Sequence, residues 1–121
     1  MGHISARLTA NVPLYEAKAE LFRTLGHPTR IRVLELLQDG ARPVHDLLDH
    51  IEVEASNLSQ QLAVLRRAGL VRSTREGASV LYSLATPDVA QLLLDGRRIL
   101  ATLWADQQEL LADLRDPAPS E

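Results

Sequence analysis

Apolar residues recur along the chain with two distinct periods, and the changes of period divide it into elements. Leu14, Leu21 and Leu25 fall on one stripe at helical spacing, with Tyr15 and Phe22 beside it, which predicts a first helix over 14–25. Gly26-His27-Pro28 interrupts it. Pro28 suits the first turn of a second helix, where its missing N–H would have had no helical partner. That helix is expected to run to about Gln38, with Ile31, Leu34 and Leu37 inward and Gly40 closing it. Pro43 to His50 reads as a short third helix, and residues 51–54 as a turn. A fourth helix is expected over Ala55–Ala68, with Leu58, Leu62 and Leu65 on one face and Gly69 ending it. The period then shortens. Leu70–Arg75 and Ser79–Leu84 read as two strands around Glu76-Gly77-Ala78.

Thr86-Pro87-Asp88 supplies a hydroxyl cap, a proline at the first position and a carboxylate near the positive helix end. It opens a last helix expected over Pro87–Leu114. Val89, Leu92, Leu93, Ile99, Leu100, Leu103, Trp104, Leu110, Leu111 and Leu114 cover much of its surface. A small domain cannot bury all of that against its own core, so a second copy of the chain is the expected partner. Residues 1–13 lack sustained periodicity and read as a mobile arm; Gly2-His3 could chelate a metal once the initiator Met is removed, but an uninvolved end is the expected reading. Residues 115–121 read as a disordered polar tail. Residues 14–114 are expected to form one domain.

Charge changes this picture more than bulk composition does. The 121 residues carry a net charge of −3, yet Ala55–Arg75 holds four arginines and no Asp or Glu. On the fourth helix, Ser56, Ser59, Gln60, Ala63 and Arg67 cluster opposite the leucines. This small, hydrogen-bonding, cationic face is suited to a polyanion. The chain has no cysteine, so no disulfide, thiolate nucleophile or thiolate metal site is available. No apolar run is long enough to span a bilayer and no apolar leader is evident, so the expected location is the cytoplasm. No glycine-rich phosphate loop, serine elbow or evident carboxylate pair suggests an enzyme. Two helices joined by a short turn and followed by a hairpin make a winged helix-turn-helix. The expected fold is therefore mainly α with one small β-hairpin.

Three stretches, LFRTLGHPTRIRVLELL, PVHDLLDHI and SNLSQQLAVLRRAGLVRSTREGASVLYSL, closely resemble the ArsR/SmtB family of small bacterial winged-helix repressors. The resemblance covers about Leu14–Leu114. Within the family, the chain looks similar to cysteine-free actinobacterial members that include nickel-responsive regulators of superoxide dismutase expression. The resemblance implies a homodimer paired through the first and last helices, at Leu14, Tyr15, Leu21, Leu92, Ile99, Leu103 and Trp104. It also implies a fourth helix in the major groove of an inverted-repeat operator, with the hairpin wing along the backbone.

Position on the helix then assigns roles. Ser56, Asn57, Ser59 and Gln60 are placed to reach base edges, with Gln and Asn able to pair bidentately with adenine and Ala63 able to meet a thymine methyl. Capping is the competing role for Ser56 and Asn57. Gln61 is also a candidate DNA contact on this helix, at a position where the family often has histidine. Arg66 and Arg67 on the helix, and Arg72 and Arg75 on the wing, are phosphate candidates. Ala78 and Glu76 flank the wing glycine where the family often adds a basic residue, which implies a weaker grip there.

The family's usual metal ligands do not carry over. The third-helix cysteine positions are Pro43 and His45, and the last-helix positions are Thr86, Asp88, Ile99 and Thr102. What remains is HDLLDHIEVE, where His45 and Asp49, and Asp46 and His50, stand four apart. Such pairs can contribute to a Ni²⁺ or Zn²⁺ site, but a solvated acidic face explains them as well. His27 is expected to cap or pack. The resemblance implies metal-linked regulation, either directly at a nonstandard site or through a separate sensor protein, and the missing ligands leave a signal other than a metal as a further reading. The alternative function is a winged helix used only for protein contact.

Overall fold

The computed structural model describes residues 11–115. Helix α1 spans Leu14–Leu25, α2 Pro28–Leu36, α3 Val44–Leu48, α4 Ala55–Arg67 and α5 Pro87–Arg115. A 3-10 turn, Leu37–Asp39, follows α2. The strands are β1 (Arg42–Pro43), β2 (Val71–Glu76) and β3 (Ser79–Leu84). They form an antiparallel sheet in the order β1-β3-β2. The mainly helical winged architecture expected from the periodicity is present.

The local signals act where the residues stand. His27 caps α2, its Nδ1 accepting from the Thr29 N–H at 3.2 Å, with Pro28 at the first position. The end of α4 is a Schellman motif: Leu70 N–H donates to the Leu65 carbonyl and Gly69 N–H to that of Arg66, both at 3.0 Å. Gly69 carries φ +81, in the left-handed region that favours glycine. In the hairpin, Glu76 pairs with Ser79, so the loop is the two residues Gly77-Ala78, tighter than the three expected. Gly77 takes φ +65, and no non-glycine residue among the described residues has positive φ, the sign pattern of a type II′ turn.

Three differences from the sequence expectation have physical causes. The second helix ends at Leu36 and tightens into the 3-10 turn rather than running on to Gln38. Arg42 and Pro43 form a strand on β3, opposite Tyr82 and Leu81, so the sheet has three strands. A two-residue strand has no period to read, and proline is tolerated there because β1 is an edge. The third helix begins at Val44, with Pro43 as its N-cap, and ends at Leu48.

The core is aliphatic. Val33, Leu34, Leu37, Leu47, Leu58, Leu62 and Leu65 are almost wholly buried. Helix α2 buries Val33 and Leu36 as well as Leu34, while Ile31 is only half-buried. This helix packs on α4 and leads directly into a turn against β3, so its covered surface is broader than a single stripe. Ile51 is buried in the turn between α3 and α4.

The chain divides into two compact units, residues 1–90 and 91–121. The first contains the helix-turn-helix and the sheet. It also contains the start of α5, where Asp88 N–H donates to Thr86 Oγ1 at 3.3 Å and Val89 is buried. In the second unit the described residues continue α5, with Leu94, Ile99, Leu100, Leu103, Trp104, Leu110 and Leu111 exposed. No helix among the described residues is long and apolar enough to cross a membrane.

Candidate nucleic-acid interface

Helix α4 turns its leucines inward and a polar surface outward. Leu58, Leu62 and Leu65 are buried, which fixes the rotation of the helix about its axis. Ser56, Ser59, Gln60, Arg66 and Arg67 are exposed, and Asn57 and Ala63 are half-buried. The first turn carries no acid and the last turn carries Arg66 and Arg67. Glu54 is the N-cap residue, and no side chain closes this end. Capping is thus not what occupies Ser56 and Asn57. Leu58 N–H is the first to find the Glu54 carbonyl, at 3.0 Å. The amides of Ala55, Ser56 and Asn57 precede it, at the positive end of the helix dipole.

Gln61 departs from the outward expectation. It is 9% exposed, on the inner side of α4. Its Oε1 accepts from Arg30 Nε at 2.8 Å, and its Nε2 donates to Asn57 Oδ1 at 2.9 Å. Arg30 Nη1 also donates to the Thr24 carbonyl at 3.0 Å. One guanidinium on α2 therefore ties the end of α1 to the middle of α4. At 100° per residue Gln61 stands about 40° from Leu65 and about 60° from Leu58, at the edge of the leucine stripe next to Asn57 rather than on the outer face. Such an amide is retained inside only when its hydrogen bonds are satisfied, and no buried side-chain polar atom among the described residues lacks a partner.

Arg42 is a second clamp that the sequence did not single out. Its Nε donates to the Leu36 carbonyl and its Nη1 to Asp46 Oδ2, both at 2.8 Å. It joins the end of α2 to α3, the helix preceding the turn into α4. Neither Arg30 nor Arg42 has a signal in periodicity; the only hint for Arg30 was its place in the HPTR stretch.

On the wing, β2 is exposed from Arg72 to Glu76. Arg72 and Arg75 are three residues apart, so strand alternation sends them to opposite faces of the hairpin. Arg72 pairs with Ser83 near the base, and Arg75 with Val80 next to the tip. A surface laid flat on one face of the hairpin meets only one of them.

The acidic-histidine cluster is not assembled into a site. Asp46 is ion-paired to Arg42 at 2.8 Å. His50 Nδ1 lies 2.9 Å from the Asp46 carbonyl, to which it can donate. His45 and Asp49 are exposed. No group of three or more His, Cys, Asp or Glu among the described residues could hold a metal ion. Gly2-His3 lies outside the described residues.

Of the residues expected at a dimer contact, Leu14, Tyr15, Ile99, Leu103 and Trp104 are exposed, and Leu21 and Leu92 are half-buried. Leu14 and Tyr15 open α1, where Phe22 is also exposed.

Residues 27–73 match the family model of bacterial regulatory proteins of the arsR family. The chain is 53% identical over 104 residues to the uncharacterised HTH-type transcriptional regulator Rv0081 of Mycobacterium tuberculosis, covering 85% of this chain and 91% of that one. The crystal structure of M. tuberculosis Rv0081 superposes with a TM-score of 0.74 at 52% identity, covering 80% of this chain and 98% of that chain. The NMR structure of the cadmium metal-sensor CmtR from M. tuberculosis superposes with a TM-score of 0.55 at 42% identity, covering 64% of this chain and 80% of that one.

Proposed function

Because this chain belongs to the ArsR/SmtB family of bacterial transcriptional regulators, we propose that it acts as a dimeric, sequence-specific DNA-binding regulator. As a member of a family of regulators it is not an enzyme. The observation that carries the reading is the outer face of α4. Ser56, Ser59, Gln60 and Arg67 are exposed while all three leucines of the helix are buried. That face offers hydrogen bonds and positive charge without acid or an apolar anchor, which suits a base-lined, phosphate-walled groove better than a protein partner.

In this reading α4 enters the major groove. Ser56, Asn57, Ser59 and Gln60 meet base edges, Ala63 meets a thymine methyl, and Arg66 and Arg67 hold phosphates. Gln61 supports Asn57 from behind. Arg75, next to the wing tip, contacts backbone or minor groove, and Arg72 serves from the other face. Two copies pair through α1 and α5 and present two α4 helices to an inverted repeat with half-sites about one helical turn apart. Residues 14–114 do this work in the cytoplasm, flanked by the arm 1–13 and the tail 115–121.

Regulation is metal-linked, supported by the likeness to a cadmium sensor. A Ni²⁺ or Zn²⁺ ion recruiting Asp46 would have to displace Arg42. The signal therefore arrives through other ligands or through a separate sensor protein. Calorimetric titration of the intact protein with each metal separates these routes, since tight stoichiometric binding excludes the need for a partner.

A mobility-shift assay on DNA from around the protein's own gene tests the main reading. A discrete complex that resists competitor DNA is expected. Absence of selective binding would leave the winged helix as a protein-contact module.

A further inference from the structure

The Arg30–Gln61–Asn57 chain has a direction, and the direction is set by chemistry. A guanidinium can only donate hydrogen bonds. The Gln61 atom facing Arg30 Nε at 2.8 Å must therefore be its carbonyl oxygen. Arg30 cannot turn this contact away without also losing the Thr24 carbonyl, 3.0 Å from its Nη1. With Oε1 committed, Gln61 has only its NH₂ to present at the other end, where Asn57 lies 2.9 Å away. The Asn57 atom there must accept, so it is Oδ1. Its Nδ2 is then left to face away, and no described residue accepts from it.

We infer that Arg30, acting through Gln61, holds the half-buried Asn57 amide in one of its two flip states, so that α4 shows DNA a hydrogen-bond donor at this position. The inference rests on the reading of α4 as the base-reading helix and deepens it to a choice of base. In the major groove, guanine and thymine carry acceptor oxygens at O6 and O4, whereas adenine and cytosine carry donor amino groups at N6 and N4. An Asn57 that offers Nδ2 favours guanine, with acceptors at both O6 and N7, or thymine at O4, over adenine, whose N7 acceptor stands beside the N6 donor. The bidentate adenine pair expected from the residue type is weakened, because Oδ1 already accepts from Gln61 and keeps one lone pair for N6. Arg30 and Gln61 are positioning residues here. They set what Asn57 reads without touching the base.

The isosteric change Gln61→Glu reverses the direction. A carboxylate at position 61 still accepts from Arg30 but has nothing to donate to Asn57. Asn57 must then turn its Nδ2 inward to donate and show Oδ1 to the groove. Selection from a randomised double-stranded library defines the wild-type site, and every single-base variant of that site is then measured with both proteins. The expected result is that, at one position per half-site, Gln61→Glu moves the preferred base from guanine or thymine to adenine or cytosine, by about tenfold in relative affinity. Adding Asn57→Ala removes the discrimination at that position in both backgrounds. A second measurement needs no DNA. By NMR, the Asn57 side-chain amide protons exchange rapidly with solvent in the wild type and are protected in Gln61→Glu.

An unchanged base profile in Gln61→Glu overturns the inference, as does discrimination that survives Asn57→Ala. So does an Asn57 amide equally protected in both proteins. A wild-type protein that selects no sequence from the library overturns the functional reading as well, whereas a selective wild type with an insensitive Gln61→Glu overturns the polarity inference alone.

Discussion

Arg30 Nε donates to Gln61 Oε1 at 2.8 Å, a contact that joins residues 31 positions apart. It couples the helix that leads into the motif to the helix proposed to read DNA, and it is part-buried at both ends. Truncating Arg30 to Ala leaves the Gln61 and Thr24 oxygens without their cationic donor. Stability should fall by about 1.5–3 kcal/mol, the usual range for hydrogen bonds to a charged group. Urea unfolding followed by circular dichroism checks this. A midpoint unchanged from the wild type would mean that water replaces the guanidinium at no cost.

Arg67 and Gln60 are both exposed on α4, but they are expected to fail in different ways. Arg67→Ala should weaken binding to every sequence alike and lower the salt dependence by about one counterion. Gln60→Ala should cost about 1–3 kcal/mol at one base pair and relax preference there. Fluorescence anisotropy over a salt series, with matched and mismatched duplexes, separates the two. Binding like the wild type by both variants would displace the reading surface from this face.

Gly69 has φ +81, and a Cβ built on it meets nothing within 4 Å. The cost of Gly69→Ala is therefore backbone strain alone, about 1–2 kcal/mol. Thermal melting should show it as a lowered midpoint, with DNA selectivity retained in the folded fraction. A substitution to Asn, which tolerates the left-handed region better, should cost less.

Trp104 is 59% exposed on α5, with Leu103 and Ile99 also exposed nearby along the helix. In the proposed dimer this apolar run is covered by the second chain. Trp104→Glu should shift the protein toward monomer in sedimentation velocity and lower operator affinity through loss of the second half-site. A dimer that persists with unchanged affinity would place the subunit contact elsewhere.

The helices were legible because their signals are local. Leucines at spacings of three and four, Pro28 at a first position, Gly69 at an end and Thr86 before Pro87 each act within about a turn of chain. The same holds for the hairpin, where Gly77 supplies the positive φ that a two-residue loop needs. Strand β1 was missed because two residues cannot show alternation. The opposed arginines of the wing could have been found from sequence, since an odd separation along a strand already places Arg72 and Arg75 on different faces.

Gln61 marks where local reading ends. Its residue type and its neighbours on α4 say polar and possible groove contact, and nothing within a turn of it reports Arg30. The element types, the greasy and polar sides of α4, the acid-free basic segment and the family resemblance are all carried by the order of residues. That Gln61 is held inside while Ser59 and Gln60 face out depends on a donor from α2 that folding brings to it. Periodicity orders residues along one helix, but a hydrogen bond between helices exists only once packing has set their distance and rotation.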